Sequence, residues 1–154
     1  MKIYIGYDHR GARLSASIME YLVEKGYEVN EPFDYEDGPV DYPVVAKEVC
    51  NAVLKDKGSK AILICGTGIG MGLAPNRFNK IRSVLCHSPA EAYFARRHED
   101  ANVLALAAGY SDGVYSIKTS EKKALEIVET FLQTEFEGDR HTKRVAFLDK
   151  LNDK

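Results

Sequence analysis

The stretch Lys60–Gly70, KAILICGTGIG, decides how this chain folds. Lys60–Cys65 is a continuous apolar run, the pattern of a strand buried on both faces of a parallel sheet. It breaks at once into Cys65-Gly66-Thr67-Gly68-Ile69-Gly70, in which three glycines fall within five residues. A buried strand that ends in a glycine-rich turn and leads into a helix is the unit from which α/β sheets are built. Working outward, short apolar runs alternate with amphipathic segments. Lys2–Tyr7 reads as a first strand, followed by a helix near Arg13–Lys25 that Gly26 ends and by a short strand at Tyr27–Asn30. Residues 31–41, rich in Pro, Asp, Glu and Gly, read as a loop. Pro43 suits the first turn of a second helix that turns Val45, Val49, Ala52 and Val53 to one face.

Beyond the turn, the pattern predicts a helix near Ile69–Phe78, a strand near Arg82–Cys86, a helix near Pro89–Arg97 and a strand at Asn102–Ala107. Helices near Lys122–Gln133 and Arg140–Leu151 close the chain. The alternation argues for a three-layer α/β/α arrangement, Rossmann-like, with a parallel sheet. No repeat, low-complexity segment or linker divides residues 1–154, so one domain is expected. A chain of this length buries roughly 68–70% of its unfolded surface. The last two helices lie beyond the final strand, where one of them is free to pack on a partner subunit.

The balance of charge narrows the function. A formal net charge of −2 gives no basic surplus for nucleic acid, although a local cluster of cations remains compatible with phosphate. Cys50, Cys65 and Cys86 show neither CxxC nor Cys/His ligand spacing, which argues against a zinc site or a disulfide framework. The opening MKIYIGYDH lacks the apolar run of a signal peptide, and no apolar stretch is long enough to span a membrane. A reduced, cytoplasmic protein is expected.

In an open α/β sheet, ligands bind at the carboxyl ends of the strands. That rule draws attention to Asp8-His9 after the first strand, to the Cys65 turn, and to His98 at the end of the helix before the fifth strand. The glycines of the turn let backbone N–H groups approach an anion, and a helix N-terminus behind them adds partial positive charge. A thiol at the head of such a turn is a candidate base or nucleophile. It is equally well read as a buried structural cysteine ending a strand. The dinucleotide fingerprint fails on its downstream spacing, and the phosphate-loop lysine is absent. Asp8-His9 reads alternatively as a helix cap, and the run Arg96–Asp100 as a solvated, charged helix end. Arg140 and Arg144, four residues apart on one helical face, suit a phosphate clamp or a plain exposed helix. Cys50 and Cys86 read as structural.

Taken together, Gly6-Tyr7-Asp8-His9, Val40-Asp41-Tyr42-Pro43, Cys65–Met71, His98 with Asp100–Leu104, and Phe136–His141 with Arg144 closely resemble the type B ribose-5-phosphate isomerases and their relatives, including the galactose-6-phosphate isomerase subunits. The resemblance spans nearly the whole chain. It implies a five-stranded parallel sheet and a homodimer or tetramer whose active sites are shared between subunits. The reaction it implies is the interconversion of aldose and ketose phosphosugars, an intramolecular oxidation and reduction with no metal and no organic cofactor. By the same resemblance, Cys65 is the base that moves the proton between C2 and C1, His98 opens the sugar ring, and Thr67 assists. The backbone N–H groups of Gly66, Gly68, Ile69 and Gly70 stabilise the enediolate. Asp8 and Tyr42 contact sugar hydroxyls, and His9, Arg140 and Arg144 hold the phosphate.

The sequence departs from the family pattern at three places. Glu99 follows the ring-opening histidine where Asn is common, a carboxylate near oxygens that carry negative charge. Ala108-Gly109-Tyr110 replaces a Gly-Ala-Arg whose Arg reaches phosphate, and Arg10 or Arg13 is the candidate replacement. Pro75 stands where small residues are usual. Ribose 5-phosphate is the expected substrate. Galactose 6-phosphate, allose 6-phosphate or another phosphosugar, and a non-catalytic phosphosugar-binding role, are the alternatives.

Overall fold

The computed structural model describes residues 1–35 and 38–151. The expected loop over 31–41 therefore includes two residues, 36 and 37, that lie outside the described ones. Five strands form one parallel sheet: β1 (Lys2–Tyr7), β2 (Glu28–Asn30), β3 (Lys60–Cys65), β4 (Ser83–Leu85) and β5 (Val103–Ala107), in the order β2-β1-β3-β5-β4. The alternation of side chains along each strand sorts the core into two halves. Ile3, Ile5, Ile62, Ile64, Leu104 and Leu106 face α1 (Ala12–Glu24), α4 (Pro89–Arg97) and α5 (Glu121–Gln133). Ala61, Leu63, Cys65, Val103 and Ala105 face α2 (Tyr42–Lys55) and α3 (Ile69–Leu73). Helices thus cover both faces, as a sheet of near-continuous apolar strands requires.

The strand order reverses at β1. The chain leaves β1 toward β2 on one side and returns through α2 to β3 on the other. A crevice opens outside the carboxyl ends of the strands at such a reversal. Asp8 follows β1 there and the Cys65 turn follows β3, and the two loops are joined because the Asp8 N–H donates to the Ile64 carbonyl at 3.0 Å.

Three elements differ from the sequence expectation. The helix expected over 69–78 ends at Leu73, and a single 3₁₀ turn, Pro75–Arg77, replaces its second half. Pro75 has no N–H to continue the ladder, and its ring opposes the carbonyl four residues back. Residues after β5, expected to be loop, form a small antiparallel hairpin of β6 (Tyr110–Ser111) and β7 (Ser116–Ile117). The final helix, α6 (Arg140–Leu148), stops three residues short of Leu151.

Candidate active site

Cys65 ends β3 with its side chain on the α2–α3 face, and the residue is only 4% exposed. Its carbonyl accepts from the Ala108 N–H at 2.9 Å, and the Gly66 carbonyl accepts from the Gly109 N–H at 2.9 Å, so the turn is stitched to the end of β5. Gly68 has φ +75°, a left-handed conformation that glycine adopts without strain. A Cβ on Gly68 would lie 2.5 Å from Leu85 Cδ1 and 2.9 Å from the Leu106 carbonyl carbon. Backbone shape and lack of room both demand glycine. Among the described residues the N–H groups of Thr67 and Gly68 have no backbone acceptor, and the Ile69 N–H reaches only Thr67 Oγ1, at 3.3 Å. The following α3 is five residues long. The turn's own amides, more than a helix dipole, make the anion cradle.

Two sequence-predicted partners stand beside the turn. Tyr42 opens α2, and its ring lies 2.7 Å from where a Gly70 Cβ would be, so the phenol leans over the turn. Asp8 is 9% exposed, and its Oδ1 accepts from the Arg10 and Gly11 N–H groups at 2.9 and 3.0 Å. The helix-cap alternative does not hold, since the N-cap of α1 is Gly11 with no side-chain cap bond, and the aspartate instead braces the loop before the helix, which holds its carboxylate at the crevice. His9 is exposed beside it.

The loop before α2 contributes more than composition revealed. The Tyr7 N–H donates to Tyr35 Oη at 2.9 Å, and the two rings stack with centroids 4.3 Å apart. Burial, reinforced by Glu31, pushes the Tyr7 phenol up to about 12, and burial also raises that of Tyr35. Both phenols stay protonated and act as fixed dipoles. Burial likewise pushes the Cys50 and Cys86 thiols up to about 12, which suits structural cysteines.

His98 is not at this edge. A helix after a parallel strand returns the chain to the start of the next strand, so the end of α4 lies where β5 begins. β5 has five residues, and at roughly 3.3 Å per residue it sets His98 on the order of 16 Å from Cys65 along the strands. The expectation that placed His98 at the carboxyl ends of the strands is corrected accordingly. Glu99 goes with it. Its carbonyl accepts from Arg82 Nε at 3.1 Å, and its side chain is exposed.

A second cluster forms around His98 at that opposite edge. Arg96, expected to be solvated, is 6% exposed and donates to Asp100 Oδ1 at 2.8 Å, to the Ala101 carbonyl at 2.6 Å and to the Thr134 carbonyl at 3.3 Å. The Glu137 N–H donates to the Arg97 carbonyl at 2.9 Å, and its carboxylate pairs with Arg97 at 3.0 Å. These ties bring α6 against the end of α4, and His141 stacks on His98 with ring centroids 4.3 Å apart and planes 8° from parallel. Arg140 and Arg144 are exposed on α6. His141 is 3% exposed with no partner for Nδ1. Burial lowers its pKa, as do the positive charges of His98, Arg140 and Arg144. The role of His141 was not read from the sequence. The signal was its spacing four residues before Val145, which puts both on the inward face of α6.

Ligand atoms of His98, Glu137 and His141 lie within 4.8 Å of one another. Parallel rings send their lone pairs in parallel directions and not toward a shared centre, and Arg97, Arg140 and Arg144 crowd the group with positive charge. The cluster suits proton exchange and anion contact better than a metal ion.

The geometry therefore sorts the sequence-predicted residues into two groups at opposite edges of the sheet. Asp8, His9, Tyr42, Cys65, Gly66, Thr67, Gly68, Ile69 and Gly70 gather at the carboxyl edge of the sheet. His98, Glu99, Arg140 and Arg144 gather at the other.

The sequence model of the family described as ribose/galactose isomerase matches residues 3–148. Ribose-5-phosphate isomerase B of Escherichia coli is 38% identical over 144 residues, covering 94% of this chain and 91% of that protein. A putative sugar phosphate isomerase of Rickettsia bellii is 39% identical over 143 residues, covering 93% and 94%. Among solved structures, the ribose 5-phosphate isomerase of Thermotoga maritima superposes with a TM-score of 0.85 at 39% identity, covering 97% of this chain and 98% of that one. Ribose-5-phosphate isomerase B of Mycoplasma genitalium, solved with bound ribulose-5-phosphate, gives 0.85 at 34% identity, covering 97% and 94%.

Proposed function

The chain belongs to the ribose/galactose isomerase family, and on that premise we propose that it is the isomerase interconverting ribose 5-phosphate and ribulose 5-phosphate, with Cys65 as the base. The observation that carries the reading is the Cys65 turn, a thiol at the head of a glycine cradle at the sheet's reversal point. His98 opens the furanose by moving a proton from the C1 hydroxyl to the ring oxygen. The Cys65 thiolate then removes the proton on C2, and the electron pair becomes an enediolate over C1 and C2. The N–H groups from Gly66 to Gly70 face the developing oxyanion, and each such donor is worth about 10²–10³ in rate. The thiol returns the proton to C1 while the C2 hydroxyl passes its own proton to the C1 oxygen, which leaves the ketose. Thr67 assists beside the reacting oxygens, Asp8 and Tyr42 orient hydroxyls, and His9, Arg140 and Arg144 hold the phosphate. No metal or organic cofactor enters these steps. Among the described residues no helix is long and apolar enough to cross a membrane, and we place the reaction in the cytoplasm.

The placement of His98 supports a further part of the proposal. A residue about 16 Å along the strands from Cys65 cannot serve the same sugar within one chain. We therefore assign the working site to a homodimer, or a tetramer of such dimers, in which one protomer supplies the Cys65 half and its partner the His98 half, with α6 packed across the interface. Subunit complementation tests this. Cys65→Ala and His98→Asn proteins are each expected to lose about 10²-fold or more in turnover. Refolded together in equal amounts, half of the dimers are mixed, and each mixed dimer holds one intact site of two. About a quarter of wild-type activity should return. Absence of recovery from verified mixed dimers refutes the shared site, and a Cys65→Ala protein retaining more than about a tenth of wild-type turnover refutes the assigned base.

A second substrate has a specific observation behind it. Glu99 places an exposed carboxylate beside His98, and Tyr110 opens β6, just beyond β5. A longer sugar with an additional hydroxyl, such as galactose 6-phosphate or allose 6-phosphate, gives that carboxylate a hydrogen-bond donor. A higher kcat/KM for a hexose 6-phosphate than for ribose 5-phosphate would establish it.

A further inference from the structure

The ring of His98 is set by other rings and not by hydrogen bonds. Among the described residues neither of its nitrogens has a hydrogen-bond partner, whereas His141 stacks on it at 4.3 Å and Phe94, one helical turn back on α4, makes a tilted contact at 5.0 Å. The residue lines an open cleft with Leu85 and Phe94. A histidine oriented by a hydrogen bond has one nitrogen committed to that partner and its tautomer chosen. A residue that takes a proton from one sugar oxygen and gives one to another gains from having both nitrogens free, provided that something else fixes the plane of the ring.

His141 has the means to do so. It is 3% exposed on the inward face of α6, and the Arg97–Glu137 pair at 3.0 Å and the Arg96–Thr134 contact at 3.3 Å hold the segment before that helix against α4. Its Nε2 accepts from Arg140 Nε at 3.3 Å. Arginine only donates, so the neutral imidazole carries its hydrogen on Nδ1, and that N–H is buried with no acceptor among the described residues. A buried donor without a partner is destabilising, and an apolar ring would fill the space without one, so packing alone does not account for a histidine here. A neutral imidazole offers a flat face to stack and, at its edge, an in-plane lone pair to accept from a guanidinium. Protonation would remove that lone pair and put a positive charge against His98. Burial and the charges of His98, Arg140 and Arg144 oppose it, and Glu137, the acid within reach of both rings, is engaged by Arg97.

We propose that His141 is a positioning residue serving two others at once: its face sets the plane of the His98 imidazole, and its Nε2 sets the Arg140 guanidinium. The inference rests on the proposed roles of His98 in ring opening and of Arg140 in phosphate binding, and it assigns no atom of His141 to the sugar.

The test uses His141→Gln, which keeps an acceptor at the place of Nε2 and loses the ring, and His141→Phe, which keeps a ring and loses the acceptor, beside wild type and His98→Asn. Two reactions of the full-length proteins are followed. Turnover of ribose 5-phosphate needs ring opening. Wash-in of deuterium from solvent at C1 of ribulose 5-phosphate does not, because the 5-oxygen that would close a furanose on C2 carries the phosphate. His141→Gln should lose about tenfold or more in kcat on ribose 5-phosphate, while its wash-in at saturating ribulose 5-phosphate stays within about threefold of wild type. His141→Phe should keep kcat within about threefold and raise KM about tenfold for both sugars. A His141→Gln protein with wild-type kcat, or one whose wash-in falls as far as its turnover, overturns the inference. So does a His141→Phe protein as slow as His141→Gln, or one with unchanged KM. Retained wash-in also shows that the variants are folded. Failure of the underlying reading looks different: wild type then leaves ribulose 5-phosphate unlabelled, or His98→Asn turns over ribose 5-phosphate as fast as wild type.

Discussion

Gly68→Ala asks how tightly the Cys65 turn is built. Gly68 has φ +75°, and an L-residue held there costs about 1–2 kcal/mol. The added methyl carbon would also sit 2.5 Å from Leu85 Cδ1, 2.9 Å from the Leu106 carbonyl carbon and 3.0 Å from the Ala107 nitrogen. Leu85 can swing aside, but the other two atoms are the backbone of β5. Forcing them apart belongs with overpacking costs of about 1–3 kcal/mol. The sum is roughly 2–5 kcal/mol, or on the order of 4–20 °C in Tm for a domain of this size. Gly26 supplies the control. Its φ is +81°, nearly the same conformation, and a Cβ there meets nothing within 4 Å. Gly26→Ala should therefore cost the conformational part alone. Urea unfolding of both variants, analysed at equal slope, isolates the contact part by subtraction. Activity of Gly68→Ala should fall at least about a hundredfold at temperatures where it remains folded, because the shift moves Cys65 and its amides together. If the two alanine variants are equally stable within about 0.5 kcal/mol, the argument that β5 presses on the turn is wrong.

Two further outcomes follow from the opposite edge of the sheet. Arg96→Ala should destabilise by about 3 kcal/mol in chemical denaturation, because a buried, multiply bonded guanidinium is removed and carbonyls of Ala101 and Thr134 are left without a donor. His141, with a native pKa below its ordinary 6.5, binds fewer protons folded than unfolded. Stability should be complete above pH 6.5 and decline as pH falls below it, and His141→Phe should flatten that part of the melting profile.

The sheet was legible because its strands are apolar throughout and its turns carry glycine at the right places. KAILIC and VLALA have no other stable home than a covered parallel sheet. The α3 boundary was missed because apolar residues continue past Leu73, while Pro75, visible in the sequence, decides the matter by its missing N–H. The hairpin after β5 was missed because its strands have two residues each and point exposed side chains outward, so no alternation announces it. For the site, Asp8 and the turn lie at the edge to which the rule on carboxyl ends pointed, whereas Tyr42 was named only through the family resemblance and reaches the turn because it opens α2. His98 was misplaced by the same rule applied to a helix end. Helix direction alone would have put it at the other edge. His141 lay hidden among cations, and its stacking on His98 depends on Arg96 and Arg97 pinning the 134–139 segment, a long-range contact that spacing does not reveal.

Under the proposed shared site, the separation of the two residue groups has a physical logic of its own. A base that must work as a thiolate is favoured beside amides and away from other carboxylates. A histidine that must shuttle a proton is favoured beside a neighbour that stays neutral. In one chain these demands are met at two ends of the sheet, each with its own supporting structure: the β5 stitching and Tyr42 around Cys65, and the Arg96 network and buried His141 around His98. In the proposed dimer, bringing them together across an interface would let each be rigid before the substrate arrives, which is where electrostatic catalysis gains most. On that proposal a lone protomer would have a complete fold and an incomplete site.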